Sequence, residues 1–375
     1  MKQRNNAVRK ISVNVLGKEK YRCIILPVFA IMLSFMVGAI VILVLGKNPL
    51  QVYGNLLQGS GLWRKEKYAG EESLLTDFFS FLDGWTPMIF AALAVAVALK
   101  AGLFNIGVSG QMLAAGFIGT VTVGYSALSS PVAKPLVVLV CLVAGGLIGG
   151  SIGLLKHKFN VNEVVSTIMI NYIVEYVTAF FISTKYMNWN LGQSKSVSDA
   201  ARLTLKNVAI GDWKVDVPLG ILLAIVVTLV LKFIFDKTTF GYEIKAIGSN
   251  EHASQYAGMN VGRKRIIVMM ISGGLSGLAG ATYYLGYLDS IQPKVLADLG
   301  FDAIVVSLLG DSNPMGILAS SFLMNMINKG SAYMRSQVGW GEEIVAVITV
   351  LLLLFCSCQD FIGDLVKRNK WEEAK

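Results

Sequence analysis

The chain has 375 residues, of which 54% are hydrophobic and only 15% charged, with a mean hydropathy of +0.60 and a formal net charge of +9. Soluble domains usually carry about 25% charged residues, so this composition excludes an ordinary water-soluble body and points to lipid as the solvent. The positive balance suits the positive-inside bias of membrane proteins rather than a nucleic-acid partner, because of where the charges lie.

Before the first apolar run stand Lys2, Arg4, Arg9, Lys10, Lys18, Lys20 and Arg22, against Glu19 alone. That asymmetry predicts a cytoplasmic N-terminal segment over residues 1–22. Cys23–Leu45 is uncharged and long enough for a span, which needs roughly 20 mainly apolar residues. A signal peptide would have an apolar region of about 7–15 residues, so this run reads as a retained first span. Gly46–Gly84 mixes both charge signs and suits an external loop, with an amphipathic helix near Leu74–Leu82. Pro87–Leu99 and Met112–Tyr125 are apolar but short. They flank a stretch rich in Gly, Asn and Gln, Gly102–Gln111, and read as a discontinuous helix pair.

Leu136–Leu155 is the next span, turning at Lys156-His157-Lys158 on the cytoplasmic side. A further span runs from Glu163 to about Ile182, with Asn162 as its cap. The polar stretch Ser183–Asp216 is placed outside by parity alone. Val217–Phe235 follows, with Lys232 snorkelling near its end. Asp236–Arg265 is basic and cytoplasmic, and Ile266–Leu285 spans again. Asp302–Gly310 and Gly316–Ile327 form a second short pair, split by Asp311-Ser312-Asn313-Pro314. The last span is about Glu343–Cys358, and residues 360–375 form a cytoplasmic tail. The expected fold is all-α: a polytopic transmembrane helical bundle over residues 23–359, in the plasma membrane, with about ten membrane segments including short broken helices.

Gly145, Gly149 and Gly153 share one helical face, as do Gly146 and Gly150, and Gly273 and Gly277 repeat the spacing. Small residues four apart let membrane helices approach closely. Asn105 and Gln111 are amides at membrane depth, costly unless they are hydrogen-bonded or line a polar path. Beside them Phe104 offers an aromatic face. Asn171 and Glu175 lie four apart on one face, pointing to a helix partner or to the path. Ser249–Gly258 reads as a short capped helix, with Ser249 or Asn250 as N-cap, Glu251 in the first turn and Gly258 as the stop. Its residues Asn250, Glu251, His252, Ala253, Ser254, Gln255, Tyr256 and Ala257 have a poor apolar face for lipid and suit docking to a partner. The four cysteines sit in or beside apolar runs and the two histidines, His157 and His252, lie apart in loops, so no metal site is expected. No G-x-x-x-x-G-K-[ST] phosphate loop occurs, so neither ATP binding of that kind nor catalysis is expected in this chain.

The stretch Gly102-Leu103-Phe104-Asn105-Ile106-Gly107-Val108-Ser109-Gly110-Gln111 resembles the permease family of bacterial ABC importers for simple sugars, nucleosides and branched-chain amino acids. The resemblance continues at Asn162–Met169, Gly241–Asn250, Tyr256–Val261, Ile271–Gly280, Gly300–Ile304, Leu308–Gly310 and Asn313–Gly316. Ser109 departs from it, since many relatives carry an acidic residue there. The long first loop and its opening, Asn48–Tyr53, look most like nucleoside-type permeases. The resemblance implies a transport subunit working with a second permease chain (a paralogue or a copy), a cytoplasmic ATPase that binds the ATP, and an extracytoplasmic substrate-binding protein or lipoprotein. Phe104, Asn105 and Gln111 are then candidates for the substrate path, and Asn250–Ala257 for the coupling helix. A pentose or hexose is the alternative cargo. A stand-alone secondary transporter is the alternative of another class, disfavoured by the scarcity of carboxylates inside the spans.

Overall fold

The computed structural model of the chain describes residues 35–44, 48–65, 74–210 and 213–338, with a few single positions beside them. The N-terminal segment 1–22, much of the expected span Cys23–Leu45, and nearly all of the last span and the tail lie outside the described residues. The chain divides into two compact units, residues 1–59 with 330–375, and residues 60–329. In the first, helices α1 (Phe35–Val44) and α2 (Pro49–Gly59) meet at 119°. The Tyr53 hydroxyl donates to the Phe35 carbonyl at 2.7 Å, and a Cβ on Gly330 would fall 2.3 Å from the Leu56 carbonyl oxygen.

The second unit begins with α3 (Leu74–Lys100), one helix of 27 residues. The amphipathic piece near Leu74–Leu82 and the apolar piece from Pro87 are therefore continuous, where the sequence suggested separate segments. A proline inside a helix frees one carbonyl and removes one N–H. In membrane helices neighbouring groups absorb that loss. Every residue from Met88 to Ala98 is buried, as expected of a helix that is apolar all round.

After a break at residues 101–107 come α4 (Val108–Gly119), ending in a π turn at Thr120–Gly124, and α5 (Ser130–Phe159). Next is α6 (Glu163–Phe181), capped by Asn162 through Val164 N and ending in a π turn to Tyr186. Four later helices follow the strands described below: α7 (Gly220–Lys237), α8 (Thr239–Ser249), α9 (Glu251–Tyr256) and α10 (Val261–Thr282), the last ending in a π turn to Leu288. α11 (Leu299–Leu309) and α12 (Pro314–Val338) complete the order. Among the described residues four helices are long and apolar enough to cross a membrane, counting the π turns: Leu74–Lys100, Ser130–Phe159, Glu163–Tyr186 and Val261–Leu288. The bent pair α1–α2 would be a fifth. Val108–Gly124 and Leu299–Leu309 are apolar but shorter.

The stretch between α6 and α7 departs from an all-helical fold. It holds two small antiparallel hairpins, β1 (Met187–Asn188) with β2 (Gln193–Ser194), and β3 (Thr204–Ile210) with β4 (Trp213–Pro218). Thr204 and Val215 are buried while Leu205, Lys206 and Lys214 are exposed, so a buried threonine beside an exposed leucine hides the strand period and the stretch reads as polar loop. The hairpins cover the ends of α3 and α10, since Leu203 N donates to Leu285 O at 2.8 Å and Thr204 Oγ1 to Asp83 Oδ1 at 2.8 Å.

α10 is the central pillar and α5 its closest neighbour. A Cβ on Gly145 would lie 2.2 Å from the Gly273 carbonyl oxygen, and one on Gly149 2.2 Å from that of Met269. One on Gly277 would lie 2.0 Å from the Cys141 carbonyl oxygen. The glycine spacing thus works as close backbone packing, the main source of helix association where lipid is as apolar as the side chains.

Candidate functional site

The break between α3 and α4 is irregular backbone inside the bundle, so its polar groups must find partners in protein. α3 closes with Ala101 N and Leu103 N donating to Ala98 O, both at 3.0 Å, and Gly102 takes φ +69°. Asn105 then organises a knot of amides. Its Nδ2 donates to Gln111 Oε1 at 3.0 Å and to Ser272 Oγ of α10 at 2.8 Å. Its Oδ1 accepts from Gly107 N at 3.0 Å and from Gln111 Nε2 at 3.4 Å. Ser272 Oγ in turn donates to the Ala94 carbonyl of α3 at 2.6 Å. Both Nδ2 protons and the Asn105 carbonyl oxygen are therefore satisfied.

Two further side chains pin the start of α4. Asn171 of α6 accepts from Gly110 N at 2.9 Å and donates to Ile106 O at 3.2 Å, a helix partner for the break. Glu175 lies half-buried one turn along. Ser109 donates to Ala297 O at 2.8 Å, and a Cβ on Gly300 would lie 2.2 Å from Ser109 Oγ. The N-terminal ends of the short helices α4 and α11 thus meet. Of the three expected path residues, Asn105 and Gln111 are 0% exposed and bonded to each other, while Phe104 is half-buried. The two amides are thus held to each other inside the bundle.

The second expected feature is α9. Asn250 is its N-cap, accepting from Ala253 N at 3.0 Å, and also the C-cap of α8. Gly258, just beyond, takes φ +82°. His252, Ala253, Gln255, Tyr256 and Ala257 face outward, with Tyr256 95% exposed, whereas Ser254 is buried. Glu251 turns to α10, accepting from Arg265 Nη1 and Nη2 at 2.6 and 2.7 Å. Those hydrogen bonds hold the Glu251 carboxyl below its ordinary range, aided by the charges of Arg265, His252 and Lys156 and opposed by partial burial. α8 was not apparent from the sequence. Its buried residues Gly241, Ile244 and Ile247 recur every third position, in a stretch whose basic ends dominate the reading.

A third group lies at the other end of α10 and was also missed. In the π turn, the rings of Tyr283 and Tyr287 stack at 6.0 Å and 26°. Nearby, Trp85 Nε1 donates to Ser321 Oγ at 2.8 Å and its ring meets Phe322 edge-on at 5.4 Å. A Cβ on Gly84 would lie 3.1 Å from Asn325 Oδ1 and 3.8 Å from the Tyr287 ring. Asn328 Nδ2 donates to Asp302 Oδ2 at 2.7 Å. The detectable signal was Tyr283-Tyr284-Leu285-Gly286-Tyr287, an aromatic run at the end of a span; π turns often mark functional positions.

The family described as "Branched-chain amino acid transport system / permease component" matches residues 79–356. The chain is similar to the nucleoside ABC transporter permease protein NupB of Lactococcus lactis subsp. cremoris, with 34% identity over 94% of this chain and 95% of that protein. It is similar to the guanosine ABC transporter permease protein NupP of Bacillus subtilis, with 35% identity over 94% and 98%. The glucose ABC transporter permease protein TsgB13 of Haloferax volcanii is 26% identical over 89% and 87%.

Proposed function

The chain belongs to the family of permease components of branched-chain amino acid transport systems, and on that premise we propose that it is the membrane-spanning subunit of an ABC importer for nucleosides. The observation that carries this reading is 34–35% identity, across nearly the whole length, to two permeases named for nucleoside and guanosine transport. The full subunit is then a plasma-membrane bundle of about ten segments with both ends in the cytoplasm. It pairs with a second permease chain and works with an ATPase and an extracytoplasmic binding protein.

α9 is the coupling helix in this proposal. It presents a capped, polar outer face with an almost fully exposed tyrosine, and it lies in the loop expected on the cytoplasmic side. Closure of the ATPases displaces it and biases the bundle between outward- and inward-facing states. Phe104, Asn105 and Gln111 belong to the path in different capacities. Phe104 faces it, and the two amides hold the break that shapes it. The aromatic wall of Tyr283, Tyr287 and Trp85 supplies ring faces for a base, and Asp302 and Asn328 supply acceptors and donors for sugar hydroxyls.

A simple sugar is the second reading, supported by the likeness to a glucose permease. Uptake of labelled guanosine into cells carrying the intact transporter separates the two. Unlabelled nucleosides should compete and glucose or ribose should not. Competition by the sugars alone would overturn the nucleoside reading.

A further inference from the structure

A helix of six residues cannot hold its shape alone, and α9 is fixed to its surroundings at two points. The first is the pairing of Arg265 with Glu251, at 2.6 and 2.7 Å. Fork-to-fork pairing fixes orientation as well as distance. Among the described residues Arg265 Nε is buried without an acceptor, and Glu251 is the carboxylate that meets both of its Nη groups. Ser272 stands seven residues further along α10, nearly two full turns and about 10 Å, on the same face as Arg265. It is the residue that accepts from Asn105 and donates to Ala94 O.

The second point is reached through α8, which shares the Asn250 cap with α9. Gly248 packs against the break so closely that a Cβ there would lie 2.3 Å from Lys100 O and 3.0 Å from Gly102 N. Both sides of the break are therefore touched by an element fixed to α9. α8 bears on Lys100–Gly102, and α10 bears on Asn105.

We propose that α9, the end of α8 and the first half of α10 move as one rigid rocker, clamped by Glu251 and Arg265, and that this rocker sets the position of the 101–107 break. The proposal rests on the reading of α9 as the ATPase-docking helix. Glu251 and Arg265 are positioning residues, since neither belongs to the proposed path. Docking displaces α9; the clamp makes α10 follow; Ser272 and Gly248 then carry Asn105 and Gly102 with them. With the clamp released, α9 yields to the ATPase by itself and ATP is hydrolysed without movement of the path.

The test uses the complete transporter (both permease chains, ATPase and binding protein) in proteoliposomes, and measures ATP hydrolysed per labelled nucleoside moved. Glu251→Gln and Arg265→Ala should each raise that ratio at least about fivefold, the low end of allosteric coupling. The exchange Glu251→Arg with Arg265→Glu should bring it back toward the wild-type value. Gly248→Ala leaves the clamp intact and disturbs the other contact, so it should raise the ratio independently. An Ala253→Cys crosslink to the ATPase is measured in every background. A crosslink that forms beside an unchanged ratio overturns the rocker and leaves the docking reading standing. Transport and hydrolysis falling in proportion, with lost assembly, would make the clamp a support of the fold and overturn the rocker too. Absence of the crosslink in the otherwise native protein overturns the docking reading, and the rocker with it.

Discussion

Replacing Asn105 by leucine tests whether the amide knot holds the break. The two side chains are similar in length, so the change removes hydrogen bonds without opening a large void. Gly107 N–H loses its acceptor at 3.0 Å, and the Gln111 carboxamide loses both contacts to Asn105. Ser272 keeps its donation to Ala94 O and loses only an incoming bond. Two buried groups are thus orphaned, at about 1–3 kcal/mol each. Hydrogen bonds between membrane helices average only about 0.6 kcal/mol, which places the expected loss near the lower end, about 2–3 kcal/mol. Ser272→Ala should cost less, about 1 kcal/mol, because Asn105 retains Gln111 and Gly107. The measurement is reversible unfolding in mixed micelles of rising SDS fraction, followed by helicity. A loss for Asn105→Leu within about 0.5 kcal/mol of zero, or a Ser272→Ala loss equal to it, would refute the reasoning.

Gly149→Ala should destabilise by about 1–3 kcal/mol, because its Cβ would lie 2.2 Å from Met269 O and 2.9 Å from Gly273 Cα. Gly146→Ala on the same helix meets nothing nearer than 3.4 Å and should leave the thermal midpoint in detergent nearly unchanged; equal losses would argue against the packing account. For Glu251 the sign follows from a carboxyl held below its ordinary value of 4.5. Its contribution is fully present above that value and fades as pH falls through the lower folded value. Arg265, His252 and Lys156 are the charges that face it. The unfolding midpoint should therefore be independent of this group between about pH 6 and 8, and Glu251→Gln should flatten only the acid limb of the profile below 4.5.

What the sequence revealed was local or periodic. The glycines of α5 and α10 announce a close helix pair by spacing alone, and Asn250, Glu251 and Gly258 announce a capped helix within ten residues. The partners of the break were invisible for the opposite reason. Ser272 is 167 positions from Asn105 and Asn171 is 61 from Gly110, and nothing in a single sequence pairs them. The charges of Gly46–Gly84 made the stretch before Pro87 read as external loop, whereas α3 runs from Leu74 through Pro87 with Asp77 and Asp83 buried. The hairpin β3–β4 was hidden by its lysines and by an irregular register between Leu205 and Val208, which interrupts the strand period.

The manner in which the break is satisfied bears on how it can move. An unbroken helix carries its own hydrogen bonds and shifts only as a rod. Residues 101–107 instead depend on groups from elsewhere: Ser272 from α10, Asn171 from α6, and the close seat of Gly248 from α8. Their position is therefore set by three surrounding elements, and a small shift in any of them moves the break without stretching a helix ladder. Buried amides suit this role better than apolar groups. Their bonds are directional and few, so an alternative arrangement that satisfies the same donors is a discrete second state rather than a continuous deformation.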